Sequence, residues 1–253
     1  VKTIEIADSV NKIGESAFNS CLSLSEIHIP NNVSVIETDT FRNCISISEI
    51  LFPYSVTKIE NGALDGCNGL KKIIVYNPKC IMPEDWLSSS ESTEVYGYAD
   101  STADSFADTN DLTFISIGFY GEDDGVLWIY TTSTKTLQFF ANGEMPDYSG
   151  NVVPWNIVKN EIQNVIFSDK ISYIGNNTLH NCTNIETIIF PNNLNDIGVN
   201  ALEGTKWFDN HDAGIVVIKS ILYAYKDGIE DDEVTLNKGV TRISKNFSTA
   251  FLN

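Results

Sequence analysis

The chain has 253 residues, 42% of them hydrophobic, and carries 34 acidic against 16 basic side chains, a formal net charge of −18. That length and apolar content suffice for a continuous core in one or two domains, while the charge argues against nucleic acid and anionic membrane surfaces, which require Lys and Arg. No apolar run approaches the ~20 residues of a membrane-spanning helix, and five cysteines are few for a disulfide scaffold of this size.

From the N-terminus onward the chain repeats every 23 residues. Ile4, Ile27, Ile50 and Ile73 are evenly spaced, as are Val10, Val33 and Val56, then Ile13, Ile36 and Ile59, then Phe18, Phe41 and Leu64. Within one period, Leu24–Pro30 alternates apolar and polar residues, which predicts a short strand. Pro30 and Pro53 end it, because proline cannot donate to a ladder. Asn31-Asn32 is a turn signal. Val33 and Ile36 return to the core, and Phe41 and Cys44 lie three apart on a tight or short helical segment. A strand, a turn and a return segment make one coil of a solenoid. Cys21, Cys44, Cys67 and Cys182 share one position of the repeat, so they should form a ladder of small buried thiols, with Cβ vectors parallel rather than converging as a disulfide needs. Val1 and Asn253 both fall inside a repeat, so the segment reads as a mature or excised part of something longer, without a signal peptide of its own.

The first stack is expected over 1–79, with 70–79 degenerating. Residues 80–118 lose the cassette but offer a strand at Glu94–Tyr98, a short helix after Ser101 and a strand at Leu112–Ile117, together a closing module for the open end. Val126–Tyr130 and Thr136–Phe140 alternate around a turn-like 131–135, which predicts a β-hairpin in a module at 119–155. A second stack follows from about 160. Residues 207–230 interrupt it with two strand-like runs, Ile215–Ile218 and Ile221–Tyr225, and Val234 restores the phase 46 residues after Ile188. The expected division is 1–118 and 119–253.

The cassette Leu24-x-x-Ile27-x-Ile29-Pro30-x-x-Val33-x-x-Ile36-(x)4-Phe41-x-x-Cys44 resembles the BspA-like leucine-rich repeat, and Ile13-Gly14-Glu15-Ser16-Ala17-Phe18-Asn19-Ser20-Cys21 is an especially close match. Tyr96–Ala103 resembles the segment that often closes such arrays. Trp128, Leu137–Phe140, Gly143, Tyr148 and Pro154-Trp155 resemble the hairpin module that often opens one. The implied fold is a strand-rich α/β repeat protein, a leucine-rich-repeat solenoid in two stacks joined by a cap and a β-hairpin. The resemblance also implies a secreted or cell-surface location in a bacterium and protein-binding or adhesive roles; it carries over no catalytic residue. The sequence departs from the pattern at Thr40, Tyr54 and Thr205.

In such a repeat, outward strand residues line the concave face. The middle outward column reads Glu5, His28, Leu51 and Ile74, then Ile166, Ile189 and Thr235. Its neighbour reads Thr3, Glu26, Glu49 and Lys72, then Asn164, Thr187 and Glu233. Leu51, Ile74, Ile166 and Ile189 are expected to face solvent, and an exposed apolar strip marks an interaction site. The candidate protein-binding residues are therefore His28, Leu51, Ile74, Ile166, Ile189, Glu26, Glu49 and Lys72. His28, His180 and His211 read as exposed structural histidines, in no metal-ligand frame. The acidic clusters Glu122–Asp124, Asp209–Asp212 and Glu230–Glu233 read as solvated loop charge, lacking calcium-loop spacing. No nucleotide or nucleophile motif occurs, so neither enzyme activity nor a cofactor or metal is expected. The expected function is an extracellular binding module whose concave face engages a protein or glycan ligand on a host or bacterial surface. A structural spacer that presents another domain is the alternative.

Overall fold

A computed structural model describes residues 1–83, 92–150, 152–226, 235–236 and 238–247. The chain divides into two compact units, Val1–Phe119 and Tyr120–Asn253.

The first unit contains strands β1 (Thr3–Ile4), β2 (Glu26–Ile27), β3 (Val35–Ile36), β4 (Glu49–Phe52), β5 (Lys58–Ile59), β6 (Lys72–Val75) and β7 (Glu94–Tyr98), helix α1 (Thr102–Thr109), and β8 (Thr113–Asp123), which carries the chain into the second unit. β4, β6, β7 and β8 pair in parallel, with Ile50 opposite Ile73 and Ile73 opposite Val95. β1 pairs with β2 in the same sense, 23 residues apart. A second parallel ladder runs through the return side of each coil, from Ile13 to Ile36 to Ile59, and Lys58 bridges Ile81. The segment expected to degenerate, 70–79, therefore stays in register.

The period works because each apolar column meets its own copy. Ile27, Ile50 and Ile73, with Val33, Val56, Ile36, Ile59, Phe41 and Leu64, form one buried cluster. Ala103, Phe106 and Ala107 of α1 join it, and the Ser101 hydroxyl caps that helix by accepting from the Asp104 amide at 3.3 Å. In the first coil Ile4, Phe18 and Cys21 are only partly buried.

The return segment is a run of turns rather than a helix. It is held by amides donating to the following coil: Phe18 N to Thr40 O at 2.9 Å, Phe41 N to Ala63 O at 2.9 Å, Asn43 N to Asp65 O at 2.7 Å. On the strand side the sense is opposite, as in Ser25 N to Lys2 O and Lys71 N to Ser48 O. Two left-handed residues per coil make the turns: Ser16 and Ser20, then Asp39 and Asn43, then Gly62 and Gly66. Asn177 and Asn181 serve the second unit, with Asn200 and Gly204 one coil on. These residues tolerate positive φ through short polar side chains or no side chain. At Gly66 φ is +69°, and a Cβ there would lie 2.3 Å from Asn43 Oδ1.

The second unit contains β9 (Val126–Thr131), β10 (Thr136–Phe140), β11 (Gly143–Glu144), a 3₁₀ turn at Pro154–Val158, β12 (Asn164–Phe167), β13 (Ile171–Ile174), β14 (Thr187–Ile189), β15 (Asp196–Ile197), α2 (Lys206–Asp209), β16 (Gly214–Ile218), β17 (Ile221–Lys226) and β18 (Arg242–Ile243). β9 and β10 form the expected antiparallel hairpin. β10 then continues in parallel into β12 and β14, and β11, β13 and β15 form the return-side ladder. Trp155, fully buried, packs against Phe139 and Tyr148 with centroids 4.7 and 5.0 Å away. The insertion forms a second hairpin, β16 with β17, and β18 pairs with β17 in parallel. The Asn246 side chain accepts from the Asn200 amide, two periods away, at 2.9 Å. The phase expected at Val234 falls outside the described residues, as do Glu233 and the Glu230–Glu233 cluster.

All five cysteines are free. Cys44 and Cys67 donate to the carbonyls of Phe18 and Phe41 one coil earlier, each at 3.1 Å. Burial pushes the thiol pKa up to about 11 at Cys44 and about 12 at Cys67, Cys80 and Cys182. Thr40 stands in the place of the usual alanine and returns its hydroxyl to Glu37 O at 2.6 Å; Thr178 does the same to Gly175 O at 2.7 Å. Thr205, where a cysteine would fall, caps α2 by accepting from the Phe208 amide and so starts the insertion.

Three measurements test this packing. Gly66→Ala should cost about 1–3 kcal/mol, because it forces a side chain into left-handed backbone against Asn43, whereas Ser20→Gly at the equivalent position should change stability by less than about 0.5 kcal/mol, relief of φ strain offsetting lost chain stiffness; urea titration followed by circular dichroism measures both. The buried thiols should resist a thiol reagent in native protein at pH 8 and react in urea. Since the folded thiols hold their protons above the ordinary pKa, stability should fall as pH rises from about 9 toward 11–12, and Cys67→Ala should flatten that slope.

Candidate functional site: the strand faces

On the face of β4, β6 and β7 in the first unit, register places Glu49, Lys72 and Glu94 in one row and Leu51, Ile74 and Tyr96 in the next. The Lys72 ammonium sits 3.5 Å from Glu49 Oε1 and 4.7 Å from the centre of the Tyr96 ring. The Tyr96 hydroxyl donates to Glu94 Oε2 at 2.8 Å, and that bond raises its pKa, since the neutral phenol is the donor. One lysine thus joins a carboxylate and an aromatic face, and the ring is oriented in turn by a second carboxylate. Glu26 and His28, a coil earlier, are exposed. The row is acidic, with one cation held within it.

The four expected apolar residues fare differently. Ile189 is 59% exposed, while Leu51 and Ile166 are half-buried. Ile74 is buried, at 8% exposure, which corrects the expectation that it faces solvent. Its in-register neighbours are Leu51 on one side and the broad Tyr96 ring on the other. Strands ~4.8 Å apart leave little room for water over a central aliphatic side chain between two such neighbours.

The first column read at a period of 23 ends at Ile74 and leaves out Glu94 and Tyr96. They continue it at a spacing of 22 rather than 23; the alternation of Glu94–Tyr98, which was visible, is the signal that extends it. In the second unit the columns begin earlier than Asn164 and Ile166, with Thr136 and Gln138 on the hairpin strand β10 in register with them. Asn164 Oδ1 accepts from the Thr187 hydroxyl at 2.6 Å, and its amide donates to Thr134 O at 3.0 Å. This face carries hydroxyl and amide groups beside Ile166 and Ile189, without the charges of the first unit's row.

The remaining chemistry-bearing residues are structural in these surroundings. His180 is half-buried rather than exposed, and its Nδ1 is enclosed. His211 is half-buried, with its ring nitrogen 2.9 Å from Trp207 O. Asp124 and Gly125 both have positive φ at the turn between β8 and β9, so this acidic cluster is in part an Asp-Gly turn. A cavity of about 290 Å³ beside β13 and β15 is lined by Glu144, Tyr173, Asp196, Arg242 and Lys245 among others. The Tyr173 hydroxyl there donates to Asp147 at 2.8 Å, and burial first, then that bond, raise its pKa. Among the described residues no group of three His, Cys, Asp or Glu is placed to hold a metal ion, and no helix is long and apolar enough to cross a membrane.

Comparison with known proteins agrees with the repeat. The BspA type leucine rich repeat region matches residues 1–113 and 157–251, in six copies. No curated protein matches. Among solved structures, the chain is similar to a leucine-rich repeat protein from Eubacterium ventriosum (25% identity, TM-score 0.33, covering 34% of this chain and 23% of that one). It is also similar to one from Bacteroides ovatus (17%, TM-score 0.26, 81% and 64%) and to a leucine-rich cell surface protein from Faecalibacterium prausnitzii (16%, TM-score 0.26, 77% and 62%). The chain thus spans less than two thirds of the length of each. With the family pattern covering most of the chain, the protein belongs to the BspA-type leucine-rich repeat family.

Proposed function

We propose that the protein is an extracellular binding module that uses its strand faces to engage a protein or glycan ligand on a host or bacterial surface. The observation that carries this reading is Ile189, a large aliphatic side chain left 59% exposed in a regular outward column beside half-buried Ile166. An apolar centre rimmed by hydroxyls and amides is the composition of a protein-recognition patch. The Glu49–Lys72–Tyr96–Glu94 row of the first unit adds an acidic surface with a fixed aromatic, suited to a basic partner by charge complementarity. Membership of a family of bacterial surface proteins supports the extracellular setting. The candidate residues His28, Leu51, Ile74, Glu26, Glu49 and Lys72 serve this reading unequally: Ile74 backs the surface, and the others lie on it.

A second reading, a spacer that holds another domain away from the cell, is favoured by the covered Ile74 and the carboxylates around it, which leave the first unit's face polar. Passing mucosal and extracellular-matrix extracts over the immobilised protein separates the two. The binding module retains a partner, and Ile189→Glu or Leu51→Glu weakens retention about tenfold or more while the circular dichroism spectrum is unchanged. Absence of any retained component, or equal retention by both variants, supports the spacer and removes the binding reading of these faces.

A further inference from the structure

The turn that begins the insertion builds a surface unlike either strand face. Lys206–Asp209 is a single helical turn, started by Thr205 and fastened on several sides. The Trp207 amide donates to Ile185 O at 2.6 Å, and Lys206 pairs with Glu186 at 2.5 Å. From β17 the Lys226 ammonium donates to the carbonyls of Phe208, Asp209 and His211 at 3.1, 2.9 and 2.5 Å, with the Phe208 ring 5.4 Å away. The carbonyls that such a short helix would leave open are thereby satisfied, and the turn is held rigid.

What this frame holds out is an indole. Phe139, Phe167 and Phe190 stack in sequence with centroids 5.0 and 6.4 Å apart. Trp207 ends the series, 5.3 Å from Phe190, and His211 packs 4.3 Å from Trp207. Trp128 and Trp155 are buried in the same unit, but Trp207 is half-buried. Together with His211, Glu186, Asn210 and Asp212 it lines a cavity of about 370 Å³. The last three are exposed.

We propose that this cavity binds a neutral sugar ring. A pyranose has a face of C–H bonds with partial positive charge, which matches the negative face of an aromatic ring. Its rim of hydroxyls needs planar polar partners; Glu186 and Asp212 accept, and Asn210 both donates and accepts. Lys206 offsets one carboxylate and leaves the other, so the site disfavours anionic sugars. A quaternary ammonium needs several aromatic faces around it, and here two rings share one wall. An aliphatic peptide side chain would meet a lining that is mostly polar. The volume lies at the small end of ligand pockets, ~300–1,000 Å³, and is sufficient for one ring. None of these residues belongs to the strand-face columns, so this site and the proposed protein-binding faces stand or fall separately.

Saturation-transfer NMR on the intact protein tests it, with N-acetylglucosamine, galactose and mannose as neutral probes and N-acetylneuraminic acid as the anionic one. At least one neutral sugar should bind with a Kd on the order of 1 mM, Trp207→Ala should abolish the transfer, and the anionic sugar should show none. Should Trp207→Ala unfold the turn, the paired change of the exposed Asn210→Ala and Asp212→Ala should still weaken binding about fivefold or more. No transfer to any neutral probe at about 10 mM, transfer undiminished in the Asn210/Asp212 variant, or equal binding of N-acetylneuraminic acid would overturn the proposal.

Discussion

Each 23-residue coil has a core side that it cannot cover alone, and for the inner coils another coil supplies the cover. Stacking at one strand spacing sets Ile4 and Ile27, Ile50 and Ile73, or Phe18 and Phe41, directly over one another. The backbone is bound to the same condition. Amides at the start of a strand donate to the preceding coil, as Lys71 N does to Ser48 O, and amides of the return turns donate to the following one, as Phe41 N does to Ala63 O. Parallel ladders on the strand side and the return side pair the backbone of an inner coil with its neighbours, so a coil displaced by one residue would lose core packing and hydrogen bonds together.

That constraint also explains where irregular residues are admitted. The return turns need two left-handed residues per coil, and the chain meets the need with Ser, Asp, Asn or Gly. The choice is coupled between coils, since Asp39 and Asn43 lean over the places where Gly62 and Gly66 leave out a side chain. The substitution of Thr205 for cysteine trades a buried thiol for a helix cap, and the chain leaves the solenoid path there to build α2 and the β16–β17 hairpin.

Function in such a molecule resides in what the stack leaves outside. Regular spacing converts isolated surface residues into rows: Glu49, Lys72 and Glu94 beside Leu51, Ile74 and Tyr96, and Thr136, Asn164 and Thr187 beside Gln138, Ile166 and Ile189. The interruption at Thr205 produces a different kind of surface, a clamped turn with an indole and polar groups about a small cavity. A repeat gives area, and a break in the repeat gives a concavity; the two suit ligands of different size.

The repeat, its period, the strand positions, the hairpin at 126–140 and the cysteine column were legible in the sequence, because each coil samples the same environment and the residues recur with it. Which side of each strand faces outward also followed, from period-two alternation. Exposure along that outward side did not. Ile74 and Ile189 occupy the same column position, yet one is covered and the other 59% exposed, because cover depends on the bulk of the neighbours that pairing supplies, and Tyr96 enters at a spacing of 22 that the period does not give. The return segment likewise reads as helix or turn from Phe41 and Cys44 alone; the left-handed pairs decide for turns. The Trp207 cavity belongs wholly to the tertiary structure. Its residues come from a strand edge and a capped turn some 20 positions apart, and Lys226, which holds that turn in place, reaches it from another strand.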